Sequence, residues 1–218
     1  MNPAYGQSSE APYPAQAGSY PVDVEFPLQE TYNRFYAIPL LGILVKGIIL
    51  IPHLIVLYIL LLGVYVTQLV LWLWVLFGGR YPDWGYSFVG GTLRWFTRVY
   101  GFYYGLSDVY PSFSLEDNQN GEARLVFYGA PASNRFYAIP VVGILVKYII
   151  LIPHFIVLYV LALVAGVLLL VTWIPVLFTG QYPDWGRDLI GGHLRWTVRV
   201  FAFLLGLTDS YPPFRLGS

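Results

Sequence analysis

Between Lys46 and Arg80 the chain runs for 33 residues without Asp, Glu, Lys or Arg, and between Lys147 and Asp184 it does so again for 36. A helix needs roughly 20 apolar residues to cross the hydrocarbon core of a bilayer, so either run is more than long enough. As a helix, at about 1.5 Å per residue, the shorter run would reach about 50 Å against a core of about 30 Å. Something must bend. Pro52 and Pro153 are the natural points, because proline removes an amide donor and clashes with the preceding turn. The expectation is a first helix over about 34–51, partly in the membrane interface, then a spanning helix over about 53–77. One long tilted helix is the alternative.

Composition supports a membrane address. Of 218 residues, 57% are hydrophobic and only 11% charged, where a soluble domain carries about 25% charged residues. Charge that scarce cannot clothe a soluble surface of this size. The net charge of zero gives no electrostatic case for nucleic acid as a partner. The absence of cysteine removes disulfides, thiolate metal sites and cysteine nucleophiles together. Residues 1–20 hold no Lys or Arg and no apolar core, so they read as a disordered Pro/Gly/Ser/Tyr-rich tail and not as a secretory signal.

The charge-free run occurs twice because the chain is a duplication with an offset of 101 residues. Asn33-Arg34-Phe35-Tyr36 returns as Asn134-Arg135-Phe136-Tyr137, and Ile51-Pro52-His53 as Ile152-Pro153-His154. Tyr81-Pro82-Asp83-Trp84-Gly85 returns as Tyr182-Pro183-Asp184-Trp185-Gly186. Aligning 33–115 with 134–216 gives 52 identities in 83 positions without a gap, so both copies should share one fold. The identities gather at the ends of each unit. The stretch around 61–74 has drifted, with Gln68 against Leu169 and Trp74 against Pro175. The division is a tail (1–20), a first repeat (21–116) and a second repeat (117–218). The simplest relation between copies is a parallel repeat about an axis along the membrane normal; an inverted repeat would need an odd number of crossings per copy.

After each apolar run comes a Gly-Pro-aromatic loop, with Tyr81 and Trp84 suited to the headgroup level. A second helix follows over about 86–106. Gly91, Arg94, Arg98, Gly101 and Gly105 step along one of its faces, matched by Gly192, Arg195, Arg199, Ala202 and Gly206. Small residues there predict close approach of a neighbouring helix. Val22, Val24 and Phe26 alternate with Asp23 and Glu25, and Leu125 and Phe127 hold the corresponding places in the second copy. Between the copies, 112–116 and 122–128 flank Asn118-Gln119-Asn120-Gly121, which predicts a β-hairpin outside the bilayer. Such a cap would put both ends of each unit on one side and favours a re-entrant or hairpin path. The fold class expected is therefore an all-α integral membrane protein of two tandem helical units with a small β-hairpin cap.

Chemistry-bearing residues are few. His53 and His154 lie seven residues after Lys46 and Lys147, on one helix face, and two pseudo-symmetric histidines could grip a haem or a chlorophyll-type pigment. The plainer reading is an interfacial Lys-His face with the lysine reaching up to headgroups, and it is preferred because no second ligand type clusters nearby. Arg94, Arg98, Arg195 and Arg199 could contact anionic headgroups or phosphate, as could Lys46 and Lys147. The arginines could equally pair with the aspartates that flank their helix, Asp83, Asp108, Asp184 and Asp209. Asp83 and Asp184, at the helix start, read as caps and dipole partners, and a structural role for the four is preferred over acid–base pairs. There is no nucleotide-binding glycine loop, nucleophile elbow or His-x-x-x-His pattern, so no enzyme is expected, and no cofactor is specified.

Ile51-Pro52-His53, the Phe-x-Gly-x-Tyr-Pro loop (77–82 and 178–183), Leu93-Arg94-Trp95-x-x-Arg98 and the Leu-x-Asp-x-Tyr-Pro exit (106–111 and 207–212) together resemble one bacterial membrane family, catalogued as domain of unknown function 4389, here in tandem. The resemblance implies a helical module of the bacterial cytoplasmic membrane, with no catalytic residues to carry over. The function expected is a non-catalytic structural or accessory subunit whose partners are the lipid bilayer and other membrane subunits or itself. The alternative is a cofactor-, pigment- or lipid-binding transport component using the repeated His and Arg positions. A multi-pass path with cytoplasmic termini completes the expectation.

Overall fold

The computed structural model describes residues 20–217, apart from 28, 39, 118, 119, 129–133 and 140. The tail expected over 1–20 lies outside these, except Tyr20, which is buried and donates its hydroxyl to the Ser210 carbonyl at 2.8 Å. The chain is mostly helical, and its two units repeat one plan. In the first, a 3-10 turn (Arg34–Ala37) leads to α1 (Leu41–Ile49), α2 (Ile51–Gly78) and α3 (Asp83–Tyr103). In the second, the 3-10 turn is Arg135–Ala138 and α4 (Val142–Thr179) runs on as one helix. Then α5 (Asp184–Gly186), a π-helical turn (Arg187–Gly191) and α6 (Gly192–Leu204) form one continuous run. Two strands, β1 (Val22–Glu25) and β2 (Arg124–Phe127), precede the units.

Proline acts differently in the two copies. Pro52 stands at the second position of α2, after a break at Leu50, as its missing amide allows there. Pro153, its equivalent, lies inside the unbroken α4. Gly47 in α1, replaced by Tyr148 in α4, weakens the first helix just ahead of the break. Both long helices end on glycine in the left-handed region, Gly79 at φ 74° and Gly180 at φ 75°. The next helix starts at Asp83, directly after Pro82, three residues earlier than the pattern predicts.

The helices pack in antiparallel pairs throughout. Within the first unit, His53 of α2 meets Trp95 of α3 while Leu71 meets Gly85. Between units, Phe96 faces Phe201 at 5.8 Å and Tyr104 faces His193 at 6.2 Å, so α3 and α6 run oppositely. It follows that α2 and α4 also run oppositely. Contacts between the halves are reciprocal, as around a twofold axis. Arg34 lies beside Gly180 and Arg135 beside Gly79.

Three faces of α3 carry three neighbours. Gly91, Arg94, Arg98 and Gly101 face the chain around β2, Trp95, Val99 and Phe102 face α1 and α2, and Phe96 and Tyr104 face α6. The result is layered: the sheet lies over the α3–α6 pair, and α1, α2 and α4 lie under it. Because small side chains recur on the face of α3 turned to β2, it is extended chain that comes close there, and not the neighbouring helix expected. A Cβ on Gly91 would sit 2.7 Å from Leu115, and one on Gly101 would sit 2.5 Å from Ala123.

The expected hairpin does not form. β2 pairs antiparallel with β1, with Asp23 opposite Val126 and Glu25 opposite Arg124, and 112–116 is not a strand. Asn118 and Gln119 lie outside the described residues. The carbonyls of Ser114 and Glu116 instead receive the Arg98 guanidinium, which removes that segment from pairing. The strands are also exchanged. β1, which precedes the first unit, packs on α6 of the second, and β2, which precedes the second unit, packs on α3 of the first.

Candidate functional site

Lys46 is 4% exposed and turned inward. It donates to the Phe102 carbonyl at 3.0 Å and to Asp108 at 3.3 Å, and the rings of Tyr36 and Phe102 lie 4.9 and 4.8 Å from its Nζ. The other oxygen of Asp108 accepts the Asn33 amide at 2.6 Å, while the Asn33 side chain caps Phe35. Lys147 repeats this, donating to the Phe203 carbonyl at 2.7 Å and to Asp209 at 3.3 Å, and Asp209 accepts the Asn134 amide with its other oxygen. The lysines therefore close each unit on itself instead of reaching headgroups. A buried ammonium is tolerated only when paired and hydrogen-bonded, and both conditions are met.

His53 and His154 are fully buried. Each Nδ1 accepts an indole N–H, from Trp95 at 2.9 Å and from Trp196 at 2.8 Å. Each ring stacks on a phenylalanine, Phe113 at 3.8 Å and Phe214 at 3.9 Å, with Tyr110 or Tyr211 edge-on at 5.0 or 4.9 Å. Nδ1 is thus a lone-pair acceptor and the ring proton sits on Nε2, which meets no protein partner among the described residues. With Nδ1 taken by the indole and Nε2 carrying the proton, neither ring presents a free lone pair to a metal in this arrangement. Among the described residues no group of His, Asp and Glu is placed to hold a metal.

Arg98, Arg195 and Arg199 pair with carboxylates outside their own helix. Arg98 meets Glu122 at 3.1 Å as well as the two carbonyls of the 112–116 segment. Arg199, 1% exposed, meets Asp23 at 3.0 Å and the Val22 and Gly217 carbonyls at 3.2 and 2.8 Å. Arg195 meets Asp23 at 2.8 Å and the carbonyls of Val24 and Leu216, both at 3.0 Å. Arg94 lies over the Phe127 ring at 5.1 Å, and Arg195 over Phe26 at 5.5 Å. Asp23 and Glu122 are therefore the partners, and the flanking aspartates are not. Asp108 and Asp209 belong to the lysines. Asp83 and Asp184 begin their helices without a side-chain capping bond, so only the dipole role remains for them.

Sequence reasoning missed the tyrosines of the Tyr-Pro-Asp-Trp-Gly loops as contacts between units. The hydroxyl of Tyr81 donates to the Leu205 carbonyl at 3.3 Å, and that of Tyr182 to the Tyr104 carbonyl at 3.1 Å. Burial pushes both phenols well above their usual range, so they remain donors. The available signal was the strict repetition of these tyrosines next to a glycine-terminated helix. Beside them lie two cavities between the units, in equivalent places, of about 280 and about 30 Å³.

The lysine, histidine, tryptophan and arginine of these contacts repeat, whereas Asp23 and Glu122 stand against Arg124 and Pro21 at the offset of 101. The family described as domain of unknown function (DUF4389) matches the chain twice, over 41–114 and 142–215, which is most of its length. The chain belongs to this family. No curated protein and no solved structure matches it. Each DUF4389 match begins at the helix carrying the lysine and ends just past the phenylalanine that covers the histidine, so Lys46, His53, Trp95, Asp108 and Phe113 all fall inside the first match. β1, which bears Asp23, and Glu122 with the β2 strand that follows it fall outside both. The two DUF4389 units thus hold their own Lys-Asp and His-Trp contacts, while the surrounding chain joins them.

Proposed function

We propose that this tandem DUF4389 chain is a non-catalytic structural module embedded in one leaflet of a membrane, the cytoplasmic membrane in a bacterium. Its helices lie along the membrane plane and its sheet stands in water on the cytoplasmic side. Lipid binds the α1, α2 and α4 layer, and the rim serves partner membrane proteins or a second copy.

The observation that carries this reading is the division of polarity across the layers. α2 and α4 are long and apolar enough to cross a membrane, yet only 22% and 11% of their most apolar windows are buried. Ile55, Tyr58, Leu62, Val66 and Leu69 are exposed on α2, and Ile156, Tyr159, Leu163, Val167 and Leu170 on α4. An apolar groove between these helices, lined by Leu57, Leu61, Phe96, Phe201 and Leu204, is of a size to take acyl chains. The opposite side carries the sheet, with Glu25, Arg124 and Asp117.

A multi-pass path is the second reading, favoured by the length and hydropathy of α2 and α4. With those helices upright, however, the sheet over the middle of α3 and α6 would stand at mid-bilayer. Its two open edges would face lipid, where unpaired backbone groups cost several kcal/mol each. At about 1.5 Å per residue, the 38 residues of α4 also reach about 57 Å, nearly twice the core thickness. Lying flat removes both problems. Oriented circular dichroism of the reconstituted chain tests the reading: helix axes close to the membrane plane are expected. Axes within about 40° of the normal, the range of spanning helices, would contradict it. The non-catalytic part predicts no visible absorbance from the purified protein, and a haem or pigment band would overturn it.

A further inference from the structure

The two cavities occupy equivalent places, and only one is open. The larger, about 280 Å³, lies where α1 and the end of α3 meet the second half of α4. The smaller, about 30 Å³, lies where α4 and the end of α6 meet the second half of α2. Gln68 separates them. In the small cavity its amide donates to the Leu205 carbonyl at 2.7 Å and to the Tyr81 hydroxyl at 3.3 Å. In the large one Leu169 stands in its place, with no donor to offer the equivalent carbonyl of Tyr104. Thr172, where the first unit has Leu71, lines the open cavity with a hydroxyl that is committed to the Leu169 carbonyl at 3.3 Å.

We propose that the open cavity binds the headgroup of a membrane lipid that donates a hydrogen bond, an ammonium or a hydroxyl, at the position the Gln68 amide fills in the other half. The chain supplies its own control: the same fold position is closed once by an amide donor and left open once. The carbonyl end of α3 carries partial negative charge, which favours a donor. Tyr36, Tyr103, Tyr104, Trp173 and Tyr182 line the cavity, and their faces would hold an ethanolamine and a choline group alike, so the hydrogen-bond donor is what separates the two. Lys46 borders the same space but is committed to Asp108 and the Phe102 carbonyl, so it does not stand as a free opposing charge. The volume suits a headgroup and not a whole lipid. Leu40 and Leu170, 66% and 50% exposed, lie at the cavity wall and give the tail an apolar exit onto the lipid-facing layer.

The proposal rests on the membrane placement given above. Its test is native mass spectrometry of the full chain in detergent, with phosphatidylethanolamine, phosphatidylglycerol and phosphatidylcholine as probes. One ethanolamine or glycerol lipid should be retained, and the choline lipid, which has no donor, should bind about tenfold more weakly. Leu169→Gln should abolish retention, and Gln68→Leu should raise it from one lipid to two. Each variant places in one half the residue the other half already uses, and equal unfolding midpoints will check that both fold. Should Leu169→Gln not fold, Gln68→Leu and the choline comparison still decide. Equal retention by wild type and the folded variants, or equal binding of the choline lipid, overturns the site. If the protein meanwhile resists carbonate extraction from vesicles, the site alone has failed; release into the wash overturns the membrane reading instead.

Discussion

At the scale of residues, the repeated charges work as internal fasteners. Lys46 and Asp108 are 62 positions apart and meet with both side chains largely out of water. Removing one member of such a pair strands the other, which costs more than removing both. Lys46→Met should therefore lower stability by about 3 kcal/mol in detergent unfolding, and adding Asp108→Asn should recover more than half of that loss. A neutral Lys46→Met would mean that the lysine reaches outward. Trp95→Phe removes the donor to the His53 Nδ1 and should cost about 1 kcal/mol, and Trp196→Phe should cost the same if the two units are energetically equivalent. That Lys147 and His154 share α4 was legible from their spacing of seven, whereas the break at Leu50 puts Lys46 and His53 on successive helices. Their partners were not, because Asp108 and Trp95 sit on a different element and spacing along one helix carries no information about what packs against it. Even so, the repeated Leu-x-Asp-x-Tyr-Pro exit held both the lysine's carboxylate and the tyrosine that lies edge-on to the histidine.

At the scale of elements, α2 and α3 were legible to within a few residues, because charge-free runs and glycine-proline punctuation mark their ends. The first helix, however, starts at Leu41 and not near 34, and Pro153 does not break α4 as expected. The strands were recognised as strands but given the wrong partner. Asn120-Gly121 is a turn signal, and Gly121 does take a left-handed φ of 78°. Yet Arg98 draws the segment before it away from pairing, and β2 finds β1 a hundred residues earlier in the chain. That choice depends on a buried arginine meeting carbonyls and a carboxylate from the far side of a loop, which alternation cannot reveal. The exchange of strands has a consequence for the units taken singly. A chain cut within 118–121, which leaves β1 with the first half and β2 with the second, should yield two halves that co-purify when expressed together, whereas either half alone should lack the strand that covers its arginines and should aggregate or be degraded. A stable, monomeric half would contradict the exchange. Asp23→Ala should destabilise the whole chain by about 3 kcal/mol, since it leaves Arg195 and Arg199 without their shared carboxylate.

At the scale of the whole molecule, duplication, antiparallel pairing and layered polarity together restrict how the chain can sit in a bilayer. A twofold axis along the membrane normal maps an upright helix onto one running the same way, and α2 and α4 run in opposite ways. Either the axis lies in the membrane plane, which carries the sheet into the hydrocarbon, or the helices lie in that plane themselves. The sequence held the duplication and the apolar runs but not this constraint, which needs the direction of α3 against α6. Arg80 and Gln181 are equivalent residues at opposite ends of the molecule, each just past a long helix, and the chain has no native cysteine. Single variants Arg80→Cys and Gln181→Cys, reconstituted in sealed vesicles of one orientation and exposed to a membrane-impermeant maleimide, read the constraint directly. An in-plane module predicts that both are labelled or both protected, and that detergent lysis changes both alike. Labelling of one and protection of the other until lysis would place them on opposite sides of the membrane and contradict the account.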